Sequence, residues 1–558
     1  MSVLACRYLH LWQPNPNPGH LLPRRASTTP RRASTTRPFQ LPRHTVVAVA
    51  SPSRSRRRMA SDEVAAVAAT PPPTSSHFVF VPLMHHGHLI PAVDAALQLA
   101  AHGALASIVV TPTYATRLRP TVESSGLPVR LVELPLDLAG TDDVGRIPLD
   151  EEAAYLLAAS RLRDLLERHL RAHAPPATCI VSDICHPWTA GLAAGLGVPR
   201  LSFLGMSAYC VMCLQTEHHA AAMHNAYAAM DPYWHLMPED PIEVKLPTAA
   251  PGFLRLPSYE KLAYAVERAC ADVDGVVLNT FLELEPGTVV DCAEVRSVAV
   301  WAVGPVSLFH RHEHAAALAA RGNMPALDAD ECMQWLDGKA PSSVVYVSFG
   351  SSIVHADPKQ VVEIGLGLEA SGHPFIWVVS SSPEKADQDT DHEVGRFLEE
   401  LEARVAGRGL LIRGWSPQLL VLSHASVGGV VTHCGWNSMM EAVAAGLPMV
   451  TWPHLAHQFL NQTLAVHSME TGVGVGVEWS EEEGVEVAVV ERWVVKEAVR
   501  SIMGGEDEAV ERRRRATALA RTAREAVREG GSAFINLRRL VKHYQAVTPE
   551  DASTSPQI

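Results

Sequence analysis

The sequence predicts an α/β protein with two Rossmann-like domains, each built on a parallel β-sheet. Short apolar runs rich in β-branched residues alternate with helical patterns, and this alternation occurs in two consecutive series along the chain. Repeated β-α units favour parallel sheets covered by helices on both faces. The 558 residues, 47% hydrophobic and 19% charged, suffice for two domains with sizeable cores.

The first series contains five apolar runs that predict buried strands, with helical patterns at Pro91 to Ala101 and Glu151 to Ala172 between them. The predicted strands are His77 to Leu83, Leu105 to Thr111, Val129 to Leu134, Cys179 to Asp183 and Gly275 to Asn279.

The second series contains six further runs, with a predicted helix at Pro358 to Ala370 between the first two. The predicted strands are Val344 to Phe349, Phe375 to Val379, Gly409 to Arg413, Val427 to Thr432, Met449 to Trp452 and Gly472 to Val477. Long helical patterns at Asp507 to Arg528 and Ser532 to Gln545 close the series. The stretch between the two series lacks strand character and carries an R-G-N turn.

The first 60 residues differ in composition from the rest of the chain, because they hold 11 Arg and no Lys, Asp or Glu. This segment resembles an organelle transit peptide. The alternative, which we favour, is an upstream extension followed by a start at Met59. Either way we expect it to be disordered. Without it, 36 basic residues face 60 acidic ones, and an acidic body argues against nucleic acid as a partner.

The remaining composition narrows the class of protein. No apolar run approaches the ~20 residues needed to cross a bilayer, so we expect no membrane span. The nine cysteines are scattered, and only Cys210 and Cys213 form a C-x-x-C. Reduced thiols in a cytoplasmic compartment are therefore expected, with a chloroplast as the alternative if residues 1–58 form a transit peptide.

One dense segment, Trp415 to Gln458, points to a nucleotide site. The buried strand Val427 to Thr432 is followed by a turn containing Gly435, and a helix is predicted from Met439 to Ala445. Glycine permits close approach of a ligand to the backbone, and a helix N-terminus binds phosphate. Ligands of open α/β sheets bind beyond the carboxyl ends of the strands, where this segment lies.

This segment resembles the signature box of plant UDP-sugar-dependent glycosyltransferases over its full length. The resemblance extends over roughly residues 76 to 545 and implies the two-domain GT-B architecture, with an active-site cleft between the domains. It gives a first domain at 76–305 that binds the acceptor, a linker at 306–335 and a second domain at 336–528 that binds the UDP-sugar. A helix at 529–548 then returns to the first domain, and disordered segments flank the whole at 1–75 and 549–558.

The resemblance carries donor-site roles onto matching residues of this chain. It implies that Trp415 stacks on uracil, that Gln418 and Glu441 hold the ribose, and that Trp436 lies near the sugar. The predicted diphosphate contacts are His433, Asn437, Ser438 and, after the S-F-G motif, Ser351. Ser416 and Gly435 belong to the same predicted site, and Gln458 is the residue expected for a glucose donor.

The sequence departs from the family at one position of the box. The family has Asp or Glu before the final Gln, whereas this chain has His457. A carboxylate accepts hydrogen bonds from two hydroxyls at once, but a neutral imidazole accepts one and donates one. We therefore expect the sugar to be bound differently or less tightly, or His457 to keep one of those hydrogen bonds.

A histidine-rich turn follows the first strand, and no G-x-G-x-x-G motif does, which disfavours a nicotinamide dehydrogenase. His85, His86 and His88 could suggest a metal, but side chains diverge at a strand-to-helix turn. His88 matches the family's catalytic His and is predicted to be the general base. His85 and His86 are candidates for the acceptor pocket or solvent-exposed turn residues.

Asp183 ends a predicted strand on the same side of the sheet as His88. A carboxylate there can accept the imidazole N–H and stabilise the imidazolium formed during catalysis. The family pairs its His with an Asp at the matching place. The alternative for Asp183 is an N-cap of the helix predicted near Pro187.

Together these features predict an inverting UDP-sugar O-glycosyltransferase without metal or other cofactor, acting as a monomer. UDP-glucose is the expected donor and a small lipophilic metabolite, such as a flavonoid, other phenolic, terpenoid or hormone, the expected acceptor. Aromatic and His residues between Met206 and Pro257 are candidates for its pocket or for packing within the domain. They are Tyr209, His218, His219, Tyr227, Tyr233 and Trp234. The alternatives are a sugar-nucleotide epimerase of the same fold and a non-catalytic UDP-sugar-binding protein.

Overall fold

The computed structural model describes two parallel β-sheets that belong to one compact unit. The described residues are 76–136, 152–213, 269, 272–312, 318, 321–323, 325–350, 357–379, 388–454, 456–477 and 489–545. The predicted N-terminal extension and C-terminal tail lie outside these ranges.

The N-terminal sheet has seven parallel strands in the order β3-β2-β1-β4-β5-β6-β7. The chain reverses its direction of travel across the sheet between β1 and β4, which are neighbours. The strands are β1 (His77–Val81), β2 (Leu105–Val110), β3 (Val129–Glu133), β4 (Cys179–Asp183), β5 (Arg200–Leu204), β6 (Gly275–Leu278) and β7 (Ala299–Ala302).

The C-terminal sheet has six parallel strands in the order β10-β9-β8-β11-β12-β13, and its reversal point lies between β8 and β11. The strands are β8 (Val344–Ser348), β9 (Phe375–Val379), β10 (Gly409–Arg413), β11 (Val427–Thr432), β12 (Met449–Thr451) and β13 (Gly472–Gly474). The predicted α/β class with two Rossmann-like sheets is therefore confirmed.

Helices connect the strands within the described ranges. In the first half they are α1 (His86–Ala101), α2 (Pro112–Ser124), α3 (Glu152–Ala158), α4 (Leu162–Ala172), α5 (Thr189–Leu196), α6 (Pro286–Arg296) and α7 (Ala329–Asp337). In the second half they are α8 (Pro358–Ser371), α9 (Gln388–Arg404), α10 (Gln418–Leu422), α11 (Trp436–Ala445), α12 (Ala456–Thr463), α13 (Arg492–Met503), α14 (Asp507–Val527) and α15 (Ser532–His543).

Some predicted boundaries differ from those observed. Helix α1 begins at His86 rather than Pro91, with Pro91 inside it, and α11 begins at Trp436 rather than Met439. A 3-10 turn at Ala159–Arg161 divides the helix predicted for Glu151 to Ala172. The strands β5 and β7 were not predicted.

Alternating residues of the central strands fill both faces of the C-terminal sheet. On β8, Val344 and Tyr346 join one buried cluster, whereas Val345 and Val347 join another. Successive side chains of a strand point to opposite faces, so a strand buried on both faces needs a continuous apolar run. This explains why β8 was readily predicted from sequence.

The last helix, α15, contacts the N-terminal sheet. Asn536 Nδ2 donates a hydrogen bond to the Ala302 carbonyl at 3.0 Å. The Tyr544 ring packs edge-on against Phe78, with 6.2 Å between ring centroids, and contacts Trp301. The chain therefore ends its described part against the sheet in which it began. None of the helices in the described ranges combines the length and apolarity that crossing a bilayer requires.

Candidate active site

His88 and Asp183 form a buried pair at the reversal point of the N-terminal sheet. His88 Nδ1 lies 2.6 Å from Asp183 Oδ2, and both side chains are 5% exposed. The pairing follows from the topology: β1 and β4 are adjacent and parallel, so the turn after β1 and the last residue of β4 meet at the same edge.

Asp183 is held as a carboxylate. Its Oδ1 accepts a 2.8 Å hydrogen bond from the Cys185 amide. Burial by itself raises the pKa of Asp183, but His88 and the Cys185 amide outweigh it and hold the pKa below its ordinary value. The following helix α5 has Trp188 at its cap, so the alternative role of Asp183 as a helix N-cap is not observed.

The other two histidines of the turn are half-buried rather than solvent-exposed. His85 is the N-cap of α1, and its Nδ1 accepts from the Gly87 amide at 3.3 Å. Burial lowers the pKa of His85 well below its ordinary value, with His88 and His86 adding to the effect. The His86 ring lies 4.9 Å from the ring of Trp415 and so reaches the second half of the chain.

The reversal point of the C-terminal sheet presents a helix N-terminus. Helix α11 starts directly after the turn that follows β11, and its cap residue Gly435 supplies no side-chain hydrogen bond. A Cβ on Gly435 would lie 2.3 Å from His433 Nε2, so only glycine fits beside this ring. The unmatched N–H groups of the first turn point out of the helix and attract anions.

His433 is enclosed from two sides. After β8, Gly350 adopts a φ of +78°, and a Cβ there would lie 2.6 Å from His433 Cε1. Burial, together with the neighbouring His454 and His457, lowers the pKa of His433 to about 3. The imidazole is therefore neutral at physiological pH.

Gln418, Ser438 and Glu441 form one hydrogen-bonded group. Gln418 Nε2 donates to Glu441 Oε2 at 2.8 Å and to Ser438 Oγ at 3.2 Å. Gln418 Oε1 accepts from the Tyr346 hydroxyl at 3.3 Å, and the backbone N–H of Gln418 donates to the Ser416 carbonyl at 2.8 Å. The sequence thus spaces these residues so that α10 and α11 present them together.

Trp415 lies against the segment that joins the two sheets. A Cβ on Gly322, which has a φ of +99°, would lie 2.3 Å from Trp415 Cζ2. The Trp415 carbonyl accepts from the Ala326 amide at 2.8 Å. Backbone of the joining segment is therefore packed directly on the indole and hydrogen-bonded to the same residue.

The two halves meet at the start of α11. Asn437 Nδ2 donates to the Gly87 carbonyl at 2.7 Å, directly before His88. Asn279 Nδ2 donates to Asn437 Oδ1 at 3.3 Å, and Trp436 Nε1 donates to the Asn279 carbonyl at 2.7 Å. The helix N-terminus and the His88–Asp183 pair are thereby fixed next to each other.

His457 and Gln458 are buried at the start of α12. Gln458 Oε1 accepts from the His454 amide at 2.8 Å. His457 Nδ1 has no hydrogen-bond partner among the described residues. Burial lowers the pKa of His454 to about 4. Three histidines, His433, His454 and His457, therefore surround this end of the candidate site.

Some predicted residues lie outside the described ranges. Ser351 is one, and so are the acceptor-pocket candidates His218, His219, Tyr227, Tyr233 and Trp234. Tyr209 is described and buried, in a helical turn whose amides bond the buried carboxylate of Glu285.

Sequence reasoning missed three residues that join the halves: Asn279, Arg321 and Asn461. Asn279 follows a buried strand, where a polar residue indicates a site at the sheet edge. Asn461 donates to the Cys434 carbonyl at 2.9 Å and accepts from the Ser207 hydroxyl of the first half at 3.3 Å. Arg321 bonds Glu441 at 2.6 Å and belongs to the R-G-N turn, in which nothing in the sequence indicates a buried partner.

A family model and the related proteins all indicate the same family for this chain. The model of the family "UDP-glucoronosyl and UDP-glucosyl transferase" matches residues 299–500. The chain is 38% identical over 493 residues to UDP-glycosyltransferase 73C6 of Arabidopsis thaliana, a match covering 84% of this chain and 96% of the relative. It is also 38% identical over 497 residues to UDP-glycosyltransferase 73E1 of Stevia rebaudiana, with the same coverage.

Solved structures show the same fold. UGT73P12 of Glycyrrhiza uralensis, complexed with glycyrrhetinic acid 3-O-monoglucuronide, matches with a TM-score of 0.73 and 32% identity, over 86% of this chain and 97% of that one. UGT71G1 of Medicago truncatula, complexed with UDP-glucose, matches with a TM-score of 0.65 and 25% identity, over 84% and 98% of the two chains.

Proposed function

The chain belongs to the UDP-glycosyltransferase family, and from this premise we propose that it transfers a sugar, glucose by preference, from a UDP-sugar to a hydroxyl group of a small lipophilic plant metabolite. The observation that carries the proposal is the buried 2.6 Å contact between His88 and Asp183 beside the N-terminus of α11. A general base and an anion site therefore lie at adjoining sheet edges.

His88 is the proposed general base. Hydrogen bonding of Nδ1 to the Asp183 carboxylate fixes the ring and makes Nε2 its basic nitrogen. As the acceptor oxygen attacks the anomeric carbon, its proton passes to Nε2 and the bond from that carbon to the UDP oxygen breaks. Attack opposite the leaving group inverts the anomeric centre. Asp183 balances the charge of the imidazolium.

The start of α11 is the proposed binding site for the diphosphate. The departing UDP gains negative charge, which the unmatched amides of the helix stabilise. His433, Asn437, Ser438 and Ser351 add hydrogen bonds in this proposal, and these fixed dipoles take the place of a metal. Uracil stacks on Trp415, and Gln418 with Glu441 binds the ribose hydroxyls.

The proposals for the donor sugar and the acceptor draw on the ligands of two related structures. UGT71G1 was solved with UDP-glucose, which supports a glucose donor here, and Gln458 fits that choice. UGT73P12 was solved with glycyrrhetinic acid 3-O-monoglucuronide, which supports a bulky, largely apolar acceptor. Incubation with several UDP-sugars and a panel of phenolics and terpenoids, followed by UDP release and product mass, tests both choices.

The role of His88 has a direct test. We expect His88→Ala to lower kcat toward alcohol acceptors by about 100-fold to 10,000-fold, the usual contribution of a general base. Calorimetric binding of UDP should change little, because the donor groups stay in place. An acidic thiophenol, already ionised at neutral pH, should lose far less activity because it needs no base.

The control is His392→Ala, since His392 is exposed on α9. This variant should keep both the activity and the affinity for UDP. If His88→Ala reduced UDP binding as strongly as it reduced turnover, or affected alcohol and thiophenol acceptors equally, His88 would not be the base.

A further inference from the structure

Arg321, in the segment that joins the two sheets, contacts a residue of the candidate donor site. Arg321 Nη1 donates to Glu441 Oε1 at 2.6 Å, and Arg321 Nη2 donates to Asp94 Oδ2 at 2.6 Å. The other oxygen of Asp94 lies 2.6 Å from His310 Nε2. Four polar side chains from three separate parts of the chain therefore form one continuous chain of contacts.

These groups are almost fully removed from solvent. The side chain of Arg321 is 10% exposed, that of Asp94 1% and that of Glu441 5%. Burial opposes the charge on Arg321, but Asp94 and Glu441 outweigh it and raise the pKa of the guanidinium. One guanidinium thus contacts two buried carboxylates, and its planar fork gives each a defined direction.

Both oxygens of Glu441 are held from the protein side. Oε1 accepts from Arg321 at 2.6 Å and Oε2 accepts from Gln418 at 2.8 Å. A carboxylate has about four lone-pair sites, so two are left for another partner. A carboxylate fixed in this way presents a pair of acceptors in a set orientation, which suits a vicinal pair of hydroxyls.

We propose that Arg321 is a positioning residue for the ribose of the donor: it orients Glu441 toward the hydroxyls and ties that carboxylate to α1, the helix that carries His88. Asp94 and His88 lie on α1. This inference rests on the proposed function, in which Glu441 binds the ribose.

The binding of two nucleotides distinguishes positioning from mere support of the fold. Calorimetry compares UDP with 2′-deoxy-UDP, which lacks one ribose hydroxyl. We expect the protein to bind UDP at least about 10-fold more tightly, as hydrogen bonds to a charged group produce. In Arg321→Gln this preference should fall to about 3-fold or less, because Glu441 loses its orientation. Arg321→Lys, which keeps the charge but loses the fork, should lie between the two.

Arg413→Gln is the matched control. Arg413 bonds Glu402 at 3.0 Å on the surface, two positions before Trp415. Its loss should leave the preference for UDP over 2′-deoxy-UDP unchanged.

The outcomes are separable. A parallel loss of affinity for both nucleotides in Arg321→Gln, with the preference unchanged, would overturn the positioning role. Failure of the unaltered protein to bind either nucleotide would contradict the proposed function itself. If Arg321→Gln did not fold, Asp94→Asn would replace it: a reduced preference supports the inference and an unchanged one overturns it.

Discussion

His88 and Asp183 show how much of the site depends on single residues brought together by topology. They stand 95 positions apart, yet their side chains are 2.6 Å apart and nearly inaccessible to solvent. The Cys185 amide holds the second carboxylate oxygen, so neither atom of the carboxylate can swing away without losing a hydrogen bond.

His457 stands where the signature box that this segment resembles has Asp or Glu, and a substitution there tests how the sugar is bound. His457→Glu should lower KM for UDP-glucose by about 10-fold, because a carboxylate can accept from two sugar hydroxyls, each a hydrogen bond to a charged group. Initial rates with UDP-glucose, UDP-galactose and UDP-glucuronate measure the effect.

The control is His457→Gln, which keeps hydrogen-bonding capacity without charge and should resemble the unaltered protein. A donor profile that is the same in all three proteins would show that the position does not contact the sugar.

At the scale of elements, β11 and α11 form the unit on which the candidate donor site is built. β11 lies between β8 and β12, buried on both sides, and its end leads directly into the turn and the helix N-terminus. Tight packing around its two glycines fixes the position of the strand and therefore of the turn.

Gly428 and Gly429 offer a matched pair of substitutions on this strand. A Cβ on Gly428 would lie 2.2 Å from the Ser342 carbonyl oxygen, whereas one on Gly429 would meet Ile502 Cδ1 at 2.6 Å. Backbone cannot move aside as easily as the end of a side chain. We expect Gly428→Ala to cost about 2–3 kcal/mol of unfolding free energy and Gly429→Ala about 1 kcal/mol, measured by urea denaturation. Equal losses would contradict the packing argument.

Most elements could be predicted because their apolar runs are continuous, as in β8 and β11. β5 was missed because Arg200 and Ser202 interrupt its apolar run, although all its residues are buried. In the folded protein Arg200 Nε donates to Thr189 Oγ1 at 2.8 Å, and Arg200 Nη1 donates to the Ala269 carbonyl at 2.6 Å. β7, at the edge of the sheet, was also missed, and its length does not explain this, because β6 has four residues too and was predicted.

The donor-site residues between Trp415 and Gln458 could be predicted because they lie in one contiguous segment of the sequence. The residues elsewhere in the chain that contact this segment could not be predicted. Arg321 is 120 positions from Glu441 and 227 from Asp94, and no periodicity in a single sequence links such positions. The sequence of the joining segment does not show whether a polar residue in it faces solvent or a buried carboxylate.

At the scale of the whole molecule, buried neutral histidines make stability depend on pH. The pKa of His433 is lowered to about 3 and that of His454 to about 4, from an ordinary value of 6.5. Below pH 6.5 the unfolded chain therefore binds protons that the folded protein does not. Stability rises with pH in this range and is lost as the pH falls from about 6.5 toward the folded values.

His454→Asn tests this dependence. Between pH 5 and 6 the slope of unfolding free energy against pH should fall by about 1 kcal/mol per pH unit, since one histidine no longer takes up a proton on unfolding. Urea denaturation at a series of pH values gives the slope, with His392→Asn as the exposed control. An unchanged slope in His454→Asn would show that His454 is already protonated in the folded protein.

Three of the hydrogen bonds between the two halves share a chemical feature with a consequence for how such a protein can change. Trp436, Asn437 and Asn536 each donate a side-chain hydrogen bond to a main-chain carbonyl of the first half, at Asn279, Gly87 and Ala302. Every amino acid supplies a carbonyl, so these bonds place no demand on the side chains of those positions. The side chains that the first half carries can therefore change without removing these three hydrogen bonds, because the second half docks on its backbone at these positions.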